Sequence, residues 1–391
     1  MPPDENSEDV ASEDATSRRA VLVGAAAAVG TGAGLASVFE MVPDVATDLL
    51  RFGDSTPNVP ASGPWSTAPP MPDTRTEVKA KVLDGTLFVV GGFLDGKRTA
   101  TDHVVGFDLD ARKWHAAPPL PQGLHHTSVA VVDGTLYVIG GYTNEWDAVD
   151  SVFAFDGSEW SSRTAMPDRR GALGAGVIDG RIYVTGGNGS GGLKTALDVY
   201  DPVADEWSSG PDLPTPREHL AVAATGGTLY AVGGRQSGLS TNVATAEAFS
   251  PKTGEWTTVS PMPTARGGLD ASVVDGQVFV FGGESPGGTN PEVEAYDPAT
   301  DSWTTYPRLP TARHGLGTDA VDGRIYTVAG GKKPGYYYSS VLEVLTVARA
   351  QSGTGGDGTG SKNDGSGTTS PDGNDTHGAS ITDADGCPVV D

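Results

Sequence analysis

The chain has 391 residues and a formal net charge of −24, with 50 acidic against 26 basic side chains. An acidic chain is repelled by phosphate backbones, so we expect no nucleic-acid partner, and the charge fits a protein kept soluble as halophilic proteins are. The only cysteine, Cys387, rules out an internal disulfide, and without a nucleophile motif, phosphate-binding loop or metal-ligand spacing we predict no catalytic residue, metal or cofactor.

An export signal is predicted near the N-terminus, where residues 16–39 read TSRRAVLVGAAAAVGTGAGLASVF. Ser17, Arg18 and Arg19, followed by an Ala/Gly-rich apolar run, resemble a twin-arginine signal, although Val21 stands where that family usually has Phe and the leader is acidic. The alternative, an N-terminal helix of the fold, is disfavoured by the many glycines. We therefore expect an exported, extracellular or cell-surface protein, with leader and signal over 1–39 and a linker over 40–62. Membrane contact is expected only through an uncleaved signal anchor.

One pattern recurs six times between residues 84 and 331, as in DGTLYVIGG from Asp133 to Gly141. The glycine pairs that end it lie 46–49 residues apart, at Gly92, Gly141, Gly187, Gly234, Gly283 and Gly331. A fixed period of roughly 50 residues is typical of a repeat architecture. Six tryptophans keep the same register, 26 residues before the first glycine of the next pair: Trp65, Trp114, Trp160, Trp207, Trp256 and Trp303. After Trp303 that position holds Ala329, so either Ala329 fills the first glycine position or a bulge inserts one residue.

Each repeat predicts a four-stranded antiparallel sheet. Asp-Gly between two apolar runs predicts a two-residue hairpin turn, because both turn residues need positive φ. The runs are rich in Val, Ile, Tyr and Phe, which suit strands. A third strand follows the glycine pair, as in LDVYDP, and a fourth strand carries the tryptophan.

The repeats resemble the kelch family of β-propellers over residues 64–348. The features that match are the glycine pairs, the tryptophans in register, and an aromatic three residues before five of the pairs (Phe88, Tyr137, Tyr183, Tyr230, Phe279). The resemblance implies an all-β fold with six four-stranded blades, over residues 63–349. The last repeat has no tryptophan strand of its own, so we predict that the strand around Trp65 joins the last blade and closes the ring. The Gly-, Ser-, Thr- and Asp-rich tail, 350–391, is predicted to be disordered.

The antiparallel order places two sets of loops on one face, which we call the upper face. They are the loops after the second strands and the links from each fourth strand to the next first strand. Binding residues concentrate on loops held by a rigid scaffold, so we predict the ligand site there. Ten residues after five of the six tryptophans lies an arginine, and Leu124 holds the sixth position; the arginines are Arg75, Arg170, Arg217, Arg266 and Arg313. Either each arginine bonds carbonyls between blades, or the ring is a cationic mouth that grips carboxylates.

Other upper-face candidates break the symmetry of the repeats. They are Glu77, His126 (next to His125), His219, His314, Trp146 and Tyr337 (within Tyr336–Tyr338). The histidines and Glu77 either serve a ligand or proton transfer, or are ordinary polar surface groups, since they lack metal-ligand spacing. The aromatic side chains suit sugar stacking or protein contact, or else pack over a neighbouring blade. Asn188 (in NGS) and Asn374 (in NDT) lie in glycosylation acceptor motifs.

The kelch resemblance leaves two functions open. The commoner role in that family is a binding platform, so we predict a monomer that binds a protein or glycan ligand on its upper face. The alternative is a carbohydrate-active enzyme resembling the six-bladed sialic acid epimerases (mutarotases), in which Arg would hold the carboxylate and His or Glu would move a proton. Copper chemistry of the galactose-oxidase type is not expected, because it needs a cysteine-linked tyrosine and the repeats contain no cysteine.

Overall fold

The computed structural model of the protein describes residues 63–95 and 98–347. The predicted leader and signal, the linker up to residue 62, the tail from 350, Asn374 and Cys387 lie outside the described residues. Within the described residues, no helix has the length and apolar character needed to cross a membrane.

Six antiparallel sheets of four main strands each make up most of the described chain, which confirms the predicted all-β class and four-stranded units. We number the sheets in chain order. Their strands are Lys79–Leu83, Thr86–Val90, Val104–Asp108 and Lys113–Ala117 (sheet 1); Ser128–Val132, Thr135–Ile139, Val152–Phe155 and Trp160–Arg163 (sheet 2); Gly174–Ile178, Arg181–Thr185, Asp198–Asp201 and Glu206–Ser209 (sheet 3); Ala221–Thr225, Thr228–Val232, Ala246–Ser250 and Glu255–Val259 (sheet 4); Gly267–Val274, Gln277–Ser285, Val293–Asp297 and Ser302–Tyr306 (sheet 5); and Gly317–Val321, Arg324–Val328, Leu342–Thr346 and Trp65–Ala68 (sheet 6).

Short elements decorate these sheets. Gly288–Thr289 pairs with the second strand of sheet 5. Two small ladders are formed by Arg75–Thr76, Phe93–Leu94 and Thr99–Ala100, and by Asn188–Gly189 with Gly192–Leu193. The single 3-10 helix of the described residues is Leu239–Thr241.

The Asp-Gly pairs form the predicted hairpin turns. At Asp133 and Gly134 φ is 46° and 73°, and the flanking residues Val132 and Thr135 lie opposite each other. Positive φ at both positions is the turn geometry whose twist matches that of the paired strands. The second strand then runs through the most buried part of each sheet, as Leu136, Val138 and Ile139 show with no exposed surface.

The first glycine of each pair is required by a close approach between sheets. Gly282 has a φ of 62°, and a Cβ at this position would lie 2.3 Å from the carbonyl oxygen of Arg313 in the next sheet. In sheet 6 the equivalent position is Ala329, which adopts a φ of 58°, and Gly330 follows with 93°. Ala329 therefore fills the first glycine position, and no bulge is inserted.

Each sheet contacts the next along the chain, and sheet 6 also contacts sheet 1. The N–H that follows the first glycine position donates to the carbonyl at the arginine position of the next sheet, as Gly283 does to Arg313 (2.9 Å) and Gly330 does to Arg75 (2.9 Å). Six apolar clusters lie between successive sheets rather than within one central core, including one that joins Val328 and Leu342 of sheet 6 to Leu87 of sheet 1.

The six in-register tryptophans tie the outer strands together in the same way. The indole N–H of Trp114 donates to the carbonyl of Pro69 (2.8 Å), and that of Trp303 donates to Ser260 (2.8 Å). Trp65, whose strand pairs with Leu342–Thr346, donates to Pro307 (2.9 Å). Each tryptophan is thus bonded to the sheet before it, and the first tryptophan is bonded to the link that follows sheet 5.

Candidate functional site

The five repeated arginines, which we call the arginine layer, lie inside the sheets. Arg75, Arg170, Arg217, Arg266 and Arg313 have no exposed surface. In sheets 4, 5 and 6 each pairs with a glutamate on the third strand: Arg217 with Glu247 (2.5 Å), Arg266 with Glu294 (2.5 Å) and Arg313 with Glu343 (2.8 Å). Arg170 pairs with Asp198 in sheet 3. These guanidinium groups are therefore not at the surface, where a ligand carboxylate would have to reach them.

Sheets 1 and 2 show how tightly each arginine is coupled to its acid. In sheet 2 the arginine position is Leu124 and the acid position is Phe153, and both side chains belong to one apolar cluster. In sheet 1 the acid position is Val105, and Arg75 instead binds Asp73, two residues before it, at 2.8 Å. An arginine thus occurs wherever a carboxylate is close enough to balance its charge, and it is replaced by leucine in the sheet that has no such carboxylate, as expected for buried charges.

Two residues after each arginine position, one residue from each sheet lines the entrance to a narrow central cavity. These residues are Glu77, His126, Ala172, His219, Gly268 and Gly315, and all have φ between 52° and 69°. Their backbones are bonded in sequence: His126 N–H donates to the Glu77 carbonyl (3.3 Å), Ala172 N–H to His126 (2.9 Å), and finally Val78 N–H to Gly315 (3.2 Å). The positive φ turns each side chain, where there is one, toward this entrance, which we call the mouth.

The predicted residues Glu77, His126, His219 and His314 meet at the mouth although they come from four different repeats. One carboxylate oxygen of Glu77, Oε2, lies 3.3 Å from Nε2 of His126, and the other, Oε1, lies 3.1 Å from Nδ1 of His314. The rings of His126 and His219 are 4.8 Å apart. The histidines are only 2–7% exposed, so they are buried groups and not ordinary polar surface groups.

Three charged residues that sequence reasoning missed complete the site. Arg235 donates to Glu218 (3.2 Å), to Glu284 (2.9 Å) and to Nε2 of His219 (3.0 Å). Glu218 is the residue directly after the arginine position, and Arg235 and Glu284 directly follow glycine pairs. Aligning the six repeats at those two positions would have shown them, because the other repeats carry no acid or arginine there. We call the eight residues Glu77, His125, His126, Glu218, His219, Arg235, Glu284 and His314 the mouth cluster.

Opposite charges in the mouth cluster stabilise each other's ionised forms. Burial alone would lower the pKa of His314, but Glu284 and Glu77 outweigh it and raise that pKa to about 9. Burial alone would raise the pKa of Glu77, yet His126, His314 and His219 hold it well below its usual value. At neutral pH, Glu77 and His314 therefore form a buried ion pair.

His126 and His125 are neutral in the same surroundings. Burial is the main reason that the pKa of His126 lies well below its ordinary value, and His125, His219 and Arg235 add to the effect against the opposing charge of Glu77. Burial likewise lowers the pKa of His125 to about 3. The two Nδ1 atoms are 2.5 Å apart, and Nε2 of His125 faces the carbonyl of Thr143 at 3.0 Å.

Aromatic side chains cover the histidines from the upper face. Phe93 stacks on His125 with ring centres 3.9 Å apart, and Trp146 lies 4.5 Å from His125 and 5.4 Å from His126. Tyr336 packs on Phe93 at 5.4 Å, and Tyr337 is exposed with Lys333 near its ring. Trp146 therefore packs over a neighbouring sheet while staying partly exposed, and Tyr337 points to solvent.

Asn188 begins a short hairpin and is half-buried; its carbonyl accepts the Tyr142 hydroxyl at 2.9 Å.

Deeper in the cavity, charged pairs join sheet 1 to sheets 5 and 6. Lys79 Nζ lies 2.6 Å from Asp270, and Lys81 Nζ lies 2.8 Å from Asp319. Burial would lower the pKa of Lys81, but Asp319 and Asp270 raise it above its usual value. Between these pairs and the mouth, the wall is apolar and includes Leu173, Leu220, Leu269 and Leu316.

A family model described as the KLHDC2/KLHL20/DRC7 Kelch-repeats domain matches residues 77–264 and 211–350. The chain belongs to the kelch-repeat family. The solved structure titled "Structure of YjhT" is similar to this kelch β-propeller with a TM-score of 0.63 at 16% identity, over 72% of this chain and 97% of that chain. Identity this low shows a shared fold and nothing about activity. A search of curated proteins found no match.

Proposed function

We propose that the protein is an exported six-bladed kelch propeller that binds a protein or glycan ligand through its upper face. The observation that carries the proposal is the position of the side chains that break the repeat. The mouth cluster, Trp146 and Tyr337 all lie at the ends of the sheets where the second strands finish, whereas the opposite ends hold short repeated turns.

Three cyclic sets of contacts support a closed ring of six blades. The bonds after the glycine pairs, the backbone bonds of the mouth and the tryptophan N–H bonds each pass from sheet to sheet and return from the last sheets to the first. A ring leaves only short edges, which suits a domain built by radial repetition. The blades would occupy residues 63–349, between the linker and the tail.

The exposed aromatic surface supports a binding role for the upper face. Among the described residues the exposed large apolar side chains are Tyr337, 43% exposed, and Val203, 92% exposed. Tyr337 belongs to the upper-face loop of sheet 6, while Val203 lies in a turn between third and fourth strands on the other face. Tyrosine gives a large contact area with one polar end, which favours it in protein and sugar contacts.

The second candidate is an epimerase acting on an acidic sugar. The pairing of neutral His126 with the Glu77 carboxylate at 3.3 Å favours it, because such a pair can exchange protons with a sugar hydroxyl. The arginine layer does not help this candidate, since its members are buried and paired within the sheets. Arg235 is the one arginine of the mouth cluster that would be left to hold a sugar carboxylate.

A thermal-shift screen tests both candidates with the full chain, Trp146→Ala, Tyr337→Ala and the control Val203→Ala. The small-molecule probes are sialic acid, glucuronic acid and neutral hexoses. A ligand at 100 times its Kd should add about 2.7 kcal/mol to the free energy of unfolding. We expect upper-face variants to lose any such gain and Val203→Ala to keep it. A gain that survives Trp146→Ala and Tyr337→Ala but disappears in Val203→Ala would overturn the assignment of the face.

Two further measurements separate the candidates and test export. Anomer interconversion of sialic acid followed by proton NMR, present in the wild type and absent in Glu77→Gln, would favour the epimerase over the platform. Replacing Arg18 and Arg19 with lysine should keep the protein inside the cell if residues 1–39 are a twin-arginine signal, and secretion of that variant would contradict it.

A further inference from the structure

We propose that Glu77, His126 and His219 bind one divalent transition-metal ion of the zinc class at the mouth of the central cavity. Their candidate ligand atoms all lie within 4.8 Å of one another, one from each of three repeats. The sequence predicted no metal because these residues are far apart along the chain. The inference goes beyond the proposed function, since it does not depend on which ligand the upper face takes.

The hydrogen-bond chain through His125 leaves a lone pair aimed at Glu77. The carbonyl of Thr143 can only accept, so His125 donates from Nε2, and its Nδ1 is then an acceptor when the ring is neutral. His126 must therefore donate from Nδ1 across the 2.5 Å contact, and its Nε2 carries no hydrogen. That bare nitrogen faces the Oε2 atom of Glu77 at 3.3 Å. A neutral His126 and the Glu77 carboxylate thus face each other as two acceptors, an arrangement that either a proton on Nε2 or a metal ion between them relieves.

The spacing suits a tetrahedral metal ion. Ligand nitrogen and oxygen atoms that bind one zinc ion at about 2.0–2.2 Å with tetrahedral angles lie roughly 3.3–3.5 Å apart. The separation between His126 Nε2 and Glu77 Oε2 is 3.3 Å. The candidate ligand atom of His219 lies within 4.8 Å of the other two ligand atoms, so it would have to move on the order of 1 Å to bind the same ion.

The surrounding groups can support such an ion. His125 fixes the His126 ring through Nδ1, and His314 lies 3.1 Å from the oxygen of Glu77 that does not face His126. Outer partners of this kind orient metal ligands and are common in metal sites. Arg235 retains Glu218 and Glu284 as partners when His219 turns to the ion.

The donor set selects the class of ion. Two imidazoles and one carboxylate are typical ligands of zinc and its first-row neighbours, whereas calcium and magnesium prefer oxygen ligands alone. The fourth position of a tetrahedral ion would face the central cavity, which is lined by the same three residues and is large enough for a water molecule.

The test is a zinc titration of the full chain carrying Cys387→Ser, so that the tail thiol cannot supply a ligand. After chelator treatment we expect one Zn²⁺ per chain by calorimetry and by mass-spectrometric metal content. Affinity should fall at least about tenfold in Glu77→Gln and in His126→Ala. The matched control is His103→Ala, which removes an upper-face imidazole that is 53% exposed and outside the cluster.

Several results would overturn the site. These are no bound zinc, zinc affinity unchanged in a folded Glu77→Gln chain, or loss of binding in His103→Ala as large as in His126→Ala. Glu77→Gln keeps the side-chain shape, so it remains informative if His126→Ala fails to fold. A zinc-edge anomalous map of wild-type crystals soaked in zinc decides the question without any variant. A peak at roughly 2 Å from His126 Nε2 supports the site, and the absence of a peak there rejects it.

Discussion

The arginine layer and the mouth cluster are both buried and charged, but they share their charges differently. Arg266 and Glu294 form a pair inside one sheet, and similar pairs recur in sheets 3, 4 and 6. In the mouth cluster, Arg235 of sheet 4 holds Glu284 of sheet 5, and His314 of sheet 6 lies against Glu77. One region repeats a local solution, and the other is assembled once from residues of several sheets.

The comparison separates charged side chains that most sheets need for their own fold from charged side chains that occur only once. A feature that every repeat needs for its own fold recurs in most repeats, as the arginine–acid pair does. The mouth cluster occurs once, leaves the buried Oε2 atom of Glu284 without a hydrogen bond among the described residues, and faces a cavity. Unsatisfied buried groups weaken a fold unless another role keeps them.

Breaking the arginine layer should reduce stability most. Arg266→Leu leaves the Glu294 carboxylate buried without its cation, and we expect a loss of about 3–5 kcal/mol in the free energy of unfolding. Arg266 suits this test because its Nε and Nη2 atoms have no hydrogen-bond partner among the described residues, so few carbonyls are left unpaired by its removal. Denaturant melts of the wild type and the variant give the loss.

The matched rescue copies sheet 2, where leucine and phenylalanine take these two positions. Arg266→Leu combined with Glu294→Phe should recover most of the loss, because replacing a buried ion pair with apolar side chains is often close to neutral. A double variant as unstable as Arg266→Leu alone would show that the layer does more than balance charge.

A smaller effect is expected at the glycine pairs, where sheet 6 already has alanine (Ala329) in place of the first glycine. Gly282→Ala should cost about 2–4 kcal/mol, since its Cβ would meet the Arg313 carbonyl oxygen at 2.3 Å at a φ of 62°. Ala329→Gly, at the same position of sheet 6, should stabilise by about 1 kcal/mol or less, because it relieves a positive φ. Thermal melts should show a lower melting temperature for Gly282→Ala and a slightly higher one for Ala329→Gly. A loss of stability in both variants would contradict the equivalence of the two positions.

In the mouth cluster, a comparable substitution should change stability less. His125→Phe keeps the stack on Phe93 but leaves the buried Nδ1–H of His126 without its acceptor, so we expect a loss of about 1–3 kcal/mol in the free energy of unfolding. Because the His126 ring is then no longer fixed through Nδ1, zinc affinity should fall about 10–100-fold. A large loss of stability with unchanged zinc affinity would place His125 with the structural residues.

A repeated carboxylate at the ends of the sheets opposite the upper face should contribute least to stability. Asp301 accepts from the Ser260 N–H (2.8 Å) and the Tyr296 hydroxyl (2.7 Å), and these bonds, the Ser260 bond first, lower its pKa. A lowered folded-state pKa contributes stability above the ordinary pKa of about 3.8, and that contribution is lost as pH falls through the lower folded value. Asp301→Asn, which tolerates the φ of 47°, should therefore be less stable than the wild type at pH 7, and the difference should shrink as the pH falls below the ordinary pKa of the carboxyl group. A difference between the two proteins that is independent of pH would contradict this account.

Much of the fold could be predicted because its signals are local. The Asp-Gly turns, the second strands and the tryptophan strands follow from φ preferences and apolar runs within a few residues. The site was only half predictable. Glu77, His126, His219 and His314 stood out as breaks in the repeat. Glu218, Arg235 and Glu284 did not, because a charged side chain on a loop is ordinarily solvated and only the packing of neighbouring sheets brings these three together.

The strands, the turns and the period of the repeats depend on short-range conformational preferences, so they can be read from the amino-acid sequence. The burial of the arginines against third-strand acids cannot, because the partner of Arg217 lies 30 residues away and is brought close by strand pairing. The meeting of Glu77, His126 and His219 likewise follows from the folded structure alone. Their distances depend on how six sheets pack around one cavity, and no local preference encodes that packing.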